Sequence, residues 1–237
     1  MFVNNLVYRL FHNKHEIIKK YLNKASTILE IGSHLGTDTV NFRKNFPSAE
    51  IICFEPDPRS REIFKKYHAN IRVKLFPYAV SNKNQETEFY QAFSKDTEQH
   101  TLKKYSWINP DDILKNELSR CGASSLKKGH DAVANAKQIK IKSIRLDDWA
   151  IENKISHIDL LWMDVQGAEK EVIEGAENLL KNTKYIWTEY GEIDYEGAMN
   201  WKETKKKLGK NFKLVNYESF FRNKGDMLFE NRKLEDL

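Results

Sequence analysis

The sequence has only two cysteines among its 237 residues, and no apolar run approaches the roughly 18 residues that a membrane-spanning helix needs. Two cysteines are too few for a disulfide framework, and Cys53 lies in an apolar segment where a thiol behaves as a small apolar group. The first residues also lack a signal-type apolar core, because Asn4, Asn5, Arg9 and His12 interrupt it. These absences predict a cytoplasmic protein without a membrane span.

The sequence also lacks internal repeats, low-complexity tracts and any Pro/Gly-rich linker. At 237 residues it is long enough for one full α/β domain with a sizeable core. Apolar residues at helical spacing near the start predict an N-terminal amphipathic helix within residues 1–24. We therefore expect a single domain over residues 25–237, with a polar insertion at about residues 81–136, where the periodicity is weak.

Positive charges exceed negative charges by five at pH 7, and residues 202–213 hold much of the excess, with six lysines and one glutamate. A run of this kind is usually a solvated helix face. The alternative is a patch for nucleic acid or an anionic acceptor. The aromatic–basic interleaving of single-strand binding platforms is missing, so nucleic acid is a disfavoured partner.

Strand and helix signals alternate along the rest of the chain. Strands are predicted at residues 28–31, 51–54, 73–80 (interrupted by Pro77), 86–92, 139–142, 158–163, 185–188, 213–217 and 226–230. Helical stripes follow several of them, the longest at residues 168–180. This order predicts an α/β fold, a doubly wound, mostly parallel, Rossmann-like sheet of seven strands with a C-terminal antiparallel hairpin.

The most informative segment is ILEIGSHLGTDT at residues 28–39, which indicates a strand, a glycine turn and a helix. In G-x-G-x-x-G loops, a second glycine two residues after the first one lets a pyrophosphate approach the backbone. The loop from Gly32 to Gly36 has no glycine at that position. This spacing suits a nucleoside without a pyrophosphate, S-adenosylmethionine, whose cationic amino-acid tail calls for an acid such as Glu30. Plain turn chemistry is the alternative for the glycines.

A second apolar strand ends at Glu55, 19 residues after Gly36, where a carboxylate can bind ribose hydroxyls. The alternative for Glu55 is a neighbour of a helix N-cap. Ser33, His34 and Thr37 lie at the predicted helix N-terminus, where they can donate to the carboxylate of the same ligand. These residues predict a cofactor pocket at the carboxyl ends of the first two strands.

Six blocks, EIGSHLGTDT, FEPDP, PYAVSN, CGASSL, RLDDW and MDVQGAEKEVIEGAENLL, occur in the order found in FkbM-type methyltransferases. The resemblance covers about residues 26–190, and its most specific block contains Asp164. It implies a class I S-adenosylmethionine-dependent O-methyltransferase that acts on a hydroxyl of a sugar, a glycan or another small polar acceptor. The sequence departs from the commonest family pattern at Trp162, where a lysine is usual, and at Gln166, where a glutamate is usual.

The resemblance also suggests residues for the far side of the pocket. Tyr78 and Ala79 follow the third strand, where this architecture places the adenine edge, and Tyr78 can equally be a core aromatic. Ser124 and Ser125 match the CGASSL block and can close over the cofactor or the acceptor. Their alternative is ordinary loop capping.

Asp164 is the leading catalytic candidate, because it ends a buried strand at the ligand edge and precedes a glycine turn. It can act as a base or orient the acceptor hydroxyl, with Gln166 as a hydrogen-bonding neighbour, and its alternative is a helix N-cap. Glu189 ends the next strand and can be the base or a partner of Asp164. Two carboxylates there can also hold Mg²⁺. Further candidates are His34, His157 and Glu192.

Three other functions stay open at this point. An NAD-dependent oxidoreductase also begins with a strand, a glycine turn and an acid after the second strand. The lysines at residues 202–213 motivate a nucleic-acid (RNA) methyltransferase, although residues 164–167 do not match the Asn/Asp-Pro-Pro-aromatic block of base-methylating enzymes. Trp162 and Gln166 motivate a catalytically inactive nucleoside-binding domain. No sequence pattern indicates an oligomeric state.

Overall fold

Strands and helices alternate in the computed structural model, which describes residues 14–94, 99–130, 136–191, 194–219 and 224–234. The strands are β1 (Thr27–Ile31), β2 (Glu50–Phe54), β3 (Lys74–Phe76), β4 (Ala79–Ser81), β5 (Gln85–Ala92), β6 (Ala136–Arg145), β7 (Ile158–Met163), β8 (Thr183–Gly191), β9 (Phe212–Ser219) and β10 (Lys224–Asn231). The α-helices are α1 (Lys14–Tyr21), α2 (Thr37–Asn45), α3 (Pro58–Tyr67), α4 (Gln99–Lys104), α5 (Pro110–Lys115), α6 (Leu146–Glu152), α7 (Glu169–Glu174) and α8 (Trp201–Leu208).

Seven of these strands form one sheet in the order β3-β2-β1-β7-β8-β10-β9. The first five strands in this order are parallel to one another, and β10 is antiparallel to both β8 and β9. The mostly parallel seven-stranded sheet and the C-terminal antiparallel pair confirm the predicted fold class. None of the helices in the described ranges is long and apolar enough to cross a membrane.

The third strand, predicted at residues 73–80 with an interruption at Pro77, is two strands in two different sheets, because the chain leaves the large sheet around Pro77. β3 joins the large sheet, whereas β4 joins β6 and β5 in a separate three-stranded sheet. Proline fixes φ and has no N–H to donate to a strand ladder. The strand signal on both sides of Pro77 therefore divides between two sheets.

Both faces of the large sheet are buried, as expected for parallel strands covered by helices. Side chains on one face, such as Leu29 and Met163, pack with α6, α7 and α8. Those on the other face, such as Ile28 and Trp162, pack with α1 and α2. Trp162 is fully buried, and its ring stacks on His15 at 5.6 Å and on Trp187 at 5.1 Å between ring centroids. Trp162, which departs from the family pattern, is thus a core residue beneath α1.

Other elements differ from the predictions mainly in length. The predicted helix at residues 168–180 divides into α7 and a 3₁₀ turn, Leu179–Asn182. Gly175, which follows α7, packs against the backbone of Ser81, where a Cβ would lie 2.0 Å from the carbonyl oxygen. β8 continues to Gly191, so Glu189 lies inside the strand and not at its end, where the sequence predicted it. α1 is the described part of the predicted N-terminal helix, and residues 1–13 lie outside the described residues.

Candidate active site

The turn after β1 is built on two glycines with positive φ. Gly32 has a φ of 86°, and its N–H donates to the carbonyl of Phe54 at 2.9 Å. A Cβ on Gly32 would lie 2.0 Å from the backbone oxygen of Asp164, so glycine is required where the loops after β1 and β7 meet. Gly36 has a φ of 88° and precedes α2, where a Cβ would lie 2.7 Å from the ring of Phe64.

Two backbone N–H groups hold the carboxylate of Glu55 just after β2. The N–H of His34 donates to Oε2 at 2.6 Å, and the N–H of Asp57 donates to Oε1 at 2.8 Å. Each carboxylate oxygen can accept a further hydrogen bond. Burial and then the charge of Asp57 raise the pKa of Glu55 to about 7, although both backbone hydrogen bonds oppose the increase.

A cavity of about 410 Å³ lies at the carboxyl ends of β1, β2 and β7, the edge at which doubly wound sheets bind ligands. The predicted cofactor residues that line it are Gly32, Ser33, His34, Thr37, Glu55, Tyr78, Ala79 and Ser124. Asp164 and Gln166, predicted as catalytic residues, line the same cavity. The fold therefore brings most of both predicted sets together around one space.

The walls of this cavity differ in polarity. Phe54, Tyr78 and Ala79 contribute apolar surface, and Tyr78 also stacks on Phe76 with a centroid distance of 6.2 Å. Tyr78 is therefore a wall residue and a packing residue at once. At the glycine turn, the buried Oγ of Ser33 has no hydrogen-bond partner in the part of the chain that the structure describes. It is free to donate to a ligand.

His34 is a neutral part of the wall. Its Nε2 lies 2.9 Å from Sγ of Cys121, and burial, with a contribution from the charge of Lys104, lowers the pKa of His34 to about 4. A φ of 51° directs its N–H towards Glu55. The backbone of His34 thus positions Glu55, while its uncharged ring packs behind the turn.

Two other predicted cofactor residues support the cavity from behind. Glu30 is 1% exposed and accepts hydrogen bonds from Oγ1 of Thr39 at 2.5 Å and Sγ of Cys53 at 3.4 Å. Burial, and then the charge of Asp38, raise the pKa of Glu30 to about 8, so the carboxyl is mostly protonated at neutral pH. Ser125 donates from Oγ to the carbonyl of Gln166 at 2.6 Å. Neither side chain lines the cavity.

Gln166 links the two predicted catalytic carboxylates. Its Nε2 donates to Oδ1 of Asp164 at 2.6 Å and to Oε2 of Glu189 at 3.1 Å. The hydroxyl of Tyr195 donates to Oε1 of Gln166 at 3.0 Å, which fixes the orientation of the amide. An ionised glutamate at this position could not donate to either carboxylate. Glutamine in place of the family's usual glutamate therefore suits a residue that joins Asp164 to Glu189.

Glu189 and Asp164 differ in their surroundings. Glu189 lines a smaller adjoining space with Gln166 and Lys224, and Asp164 lines the main cavity. Burial and then the charges of Asp164 and Asp226 raise the pKa of Glu189 well above its usual range. Burial and these neighbouring charges therefore favour the protonated form of Glu189. Asp164 is the better placed of the two to accept a proton from a ligand, because it faces the main cavity.

The residues around this pair do not fit the predicted Mg²⁺. Within the described ranges, no group of three or more His, Cys, Asp or Glu side chains is arranged to hold a metal ion. The amide nitrogen of Gln166, a hydrogen-bond donor, bonds to both Asp164 and Glu189. Hard cations need several oxygen ligands, and an amide donor already bonded to both carboxylates does not suit one.

Of the remaining predicted candidates, His157 does not line the cavity. His157 precedes β7 at the opposite end of the strand from Asp164, with Nε2 3.2 Å from Oδ1 of Asp159. Glu192 lies outside the described residues. The lysines of residues 202–213 that line an open groove with Trp201 and Arg232 are Lys202, Lys205, Lys206, Lys210 and Lys213. This groove adjoins the start of β9, which pairs with the end of β10 at the edge opposite Asp164.

Four further cavity residues were not among the predicted site residues, although one of them, Asp38, lies inside the EIGSHLGTDT block. Lys14 and Asp38 line the cavity beside Asp164, and Lys104 and Tyr105 line it beside His34. Asp38 follows the predicted site residue Thr37 in the first turn of α2, and this position next to Thr37 could have indicated it. Lys14 belongs to α1, whose amphipathic pattern predicts a helix but not where that helix packs.

Comparison with known proteins identifies the family. Residues 30–225 match the methyltransferase FkbM domain. The chain is 34% identical over 224 residues to the 2-O-methyltransferase NoeI of Sinorhizobium fredii, and the match covers 93% of this chain and 86% of that protein. It is 25% identical over 174 residues to the AMB antimetabolite synthetase AmbE of Pseudomonas aeruginosa, covering 65% of this chain and 8% of that protein.

Among solved structures, the chain resembles the methyltransferase FkbM from Methylobacillus flagellatus, with a TM-score of 0.51 and 9% sequence identity. The match covers 87% of this chain and 43% of that chain, so this chain spans less than half of the solved protein. At this identity the likeness concerns the fold alone. The domain match and the identity to NoeI decide the family: the chain belongs to the FkbM methyltransferases.

Proposed function

We propose that this protein is an S-adenosylmethionine-dependent O-methyltransferase that acts on a hydroxyl of a sugar, a glycan or another small polar acceptor. The observation that carries the proposal is one cavity lined by both Glu55, after β2, and Asp164, after β7. Because β1 lies between β2 and β7 in the sheet, the Gly32 turn lies between these two carboxyl groups. The similarity to NoeI, named a 2-O-methyltransferase, supports oxygen as the methyl acceptor.

The residues of the cavity fit this cofactor. Glu55 keeps acceptor capacity for the ribose hydroxyls, and the apolar surface of Phe54, Tyr78 and Ala79 suits an adenine ring. The unpartnered Oγ of Ser33, next to the N-terminus of α2, suits a carboxylate. When bound, the cofactor supplies a methyl group carried on a sulfonium.

Asp164 is proposed to accept the proton of the acceptor hydroxyl. A sugar hydroxyl is a weak nucleophile at neutral pH, and a positioned base increases its reactivity. Asp164 uses Oδ1 to accept from Gln166, which leaves Oδ2 for the acceptor. Gln166 and Glu189 hold the carboxylate in place, so that the hydroxyl oxygen is oriented towards the methyl carbon.

The rival functions receive less support. In a dinucleotide-binding loop the second glycine would stand at position 34, where this chain has His34 bonded to Cys121. An RNA acceptor is less favoured because the lysine run of residues 202–213 lines a groove at the edge of the sheet opposite Asp164. A cavity that combines Glu55 with Asp164 also argues against an inactive domain. A cytoplasmic location stays a prediction from composition.

A methyl-transfer assay tests the proposed function. Labelled S-adenosylmethionine is incubated with the protein and with UDP-glucose, GDP-mannose, simple methyl glycosides or short RNA, and the products are analysed by mass spectrometry. We expect a methyl ether on a sugar hydroxyl of one of the first three classes. Methylation of a base in RNA would instead establish the alternative function, and no transfer to any class would contradict the proposal.

Replacing Glu55 with glutamine is expected to weaken binding of S-adenosylhomocysteine by about 10–100-fold, since a charged hydrogen-bond acceptor is lost. In the unmodified protein the affinity should increase as the pH rises through about 7, because Glu55 then loses its proton and accepts fully from the ribose hydroxyls. Titration calorimetry across this pH range should show that Glu55→Gln removes that increase. Glu62→Gln, on the exposed side of α3, is the control, and an unchanged affinity in Glu55→Gln would refute the assignment.

A further inference from the structure

Lys14 contributes a cation to the active site from outside the matched family domain. It is the first described residue of α1 and precedes residue 30, where the FkbM match begins. Its side chain lines the main cavity, and its Nζ lies 5.2 Å from the centroid of the Trp162 ring. Lys14 forms no direct ion pair with any residue in the described ranges, so its N–H donors remain available for a ligand.

Four carboxyl groups keep this ammonium charged. Burial alone would lower the pKa of Lys14, but the charges of Asp226, Asp164, Asp38 and Glu189 raise it above its usual value. Lys14 is therefore protonated at neutral pH and cannot act as a base. It can serve only as a positively charged hydrogen-bond donor.

The sheet explains why these groups meet. Trp162 and Asp164 are two residues apart, and so their side chains point to the same face, the face that α1 covers. Glu189 pairs directly with Asp226 across β8 and β10, at the same end of the sheet. Asp164, Glu189 and Asp226 thus lie at one edge of the sheet, and Asp38 belongs to the first turn of α2. Lys14, Asp38 and Asp164 line the same cavity.

We propose that Lys14 donates a hydrogen bond to the oxygen of the acceptor hydroxyl while Asp164 accepts the proton of that hydroxyl. The inference rests on the proposed function and adds a residue to it. The O–H bond breaks and its proton goes to Asp164, a lone pair of the oxygen forms the bond to the methyl carbon, and the electron pair of the carbon–sulfur bond stays on sulfur. Sulfonium becomes thioether, and the acceptor becomes a methyl ether.

An ammonium group is suited to this step because negative charge develops on the acceptor oxygen as its proton leaves. A donor already fixed in the wall stabilises that charge without reorganisation. The helix α1 fixes Lys14 through its neighbour His15, whose Nε2 lies 2.8 Å from Oδ1 of Asp38. The stacked ring of His15 on Trp162 provides a second attachment.

The test is the kinetic comparison of Lys14→Gln, Lys14→Arg and Lys19→Gln, using the panel sugar that the unmodified protein methylates fastest. Lys19 lies on the same helix, is about half exposed and pairs with Glu16, so Lys19→Gln controls for loss of charge on α1. We expect Lys14→Gln to lower kcat by about 10²-fold, the effect of losing one transition-state donor. Lys14→Arg should recover part of the loss, and Lys19→Gln should match the unmodified protein.

Calorimetry with S-adenosylhomocysteine and thermal denaturation distinguish the proposed role of Lys14 from a role in cofactor binding or in stability. Under the proposal, the affinity and the Tm of Lys14→Gln stay close to those of the unmodified protein. A weaker affinity with unchanged kcat at saturating cofactor would assign Lys14 to the cofactor carboxylate and overturn the proposal. A lower Tm with unchanged kcat would make the role structural and overturn it too. An unmodified protein that transfers no methyl group would instead refute the proposed function.

Discussion

Replacing Asp164 with asparagine is expected to lower kcat by about 10²–10⁴-fold, the range for removing a general base. Asparagine has the shape of aspartate, and its Oδ1 can still accept from Nε2 of Gln166, which now bonds to Asp164 at 2.6 Å. Only the ability to accept the hydroxyl proton is lost. Steady-state kinetics at saturating acceptor should show the decrease, while S-adenosylhomocysteine binds with nearly unchanged affinity.

Asp148→Asn is the matched control for this variant. Asp148 lies in the first turn of α6 and accepts from Asn84 at 2.6 Å, so its replacement leaves the cavity intact. Near-native turnover in Asp164→Asn would show that another group accepts the proton. A loss of cofactor affinity equal to the loss of turnover would mean that Asp164 binds the cofactor and has no separate role in the chemistry.

Replacing Gly32 with alanine is expected to abolish measurable binding of S-adenosylhomocysteine and to destabilise the fold. The new Cβ would lie 2.0 Å from the backbone oxygen of Asp164, and the φ of 86° is itself unfavourable for alanine. Strain and overpacking each cost about 1–3 kcal/mol. Since the obstacle is backbone, the loops after β1 and β7 must separate, which moves Asp164 away from the cofactor turn.

Gly209→Ala separates the two contributions to this result. Gly209 has a φ of 81°, but a Cβ added there would meet no atom within 4 Å, so alanine at this position is strained without a collision. We expect Gly209→Ala to lower the free energy of unfolding while cofactor affinity is retained. Comparable loss of binding in both variants, measured by calorimetry below their Tm, would show that general destabilisation and not the Gly32 contact is responsible.

The parts of the site that follow strand ends were predictable from the sequence. Glu55 and Asp164 each follow a short apolar run, and parallel strands bring their carboxyl ends to the same edge of a sheet. The Gly32 turn was also predictable, because the sequence pattern indicates a strand before it and a helix after it. The structure places all three around one cavity.

Parts that depend on contacts between distant segments were not predictable. Nothing in the local pattern shows that Gln166 donates to both Asp164 and Glu189. Nor does it show that the carboxyl of Glu30 bonds to Thr39 and Cys53 behind the turn. An acid near the end of a strand predicts a carboxylate that faces the ligand, but the alternation of side chains along β1 directs Glu30 into the core.

The sequence by itself determined the order of the elements, the edge of the sheet at which the cavity lies and the acidic residues at that edge. These depend on local periodicity, strand length and turn chemistry, which act within short segments. Only the tertiary structure decided that α1 brings Lys14 to the cavity. The physical reason is that an amphipathic helix needs an apolar surface to cover, and its own residues do not specify which surface that is.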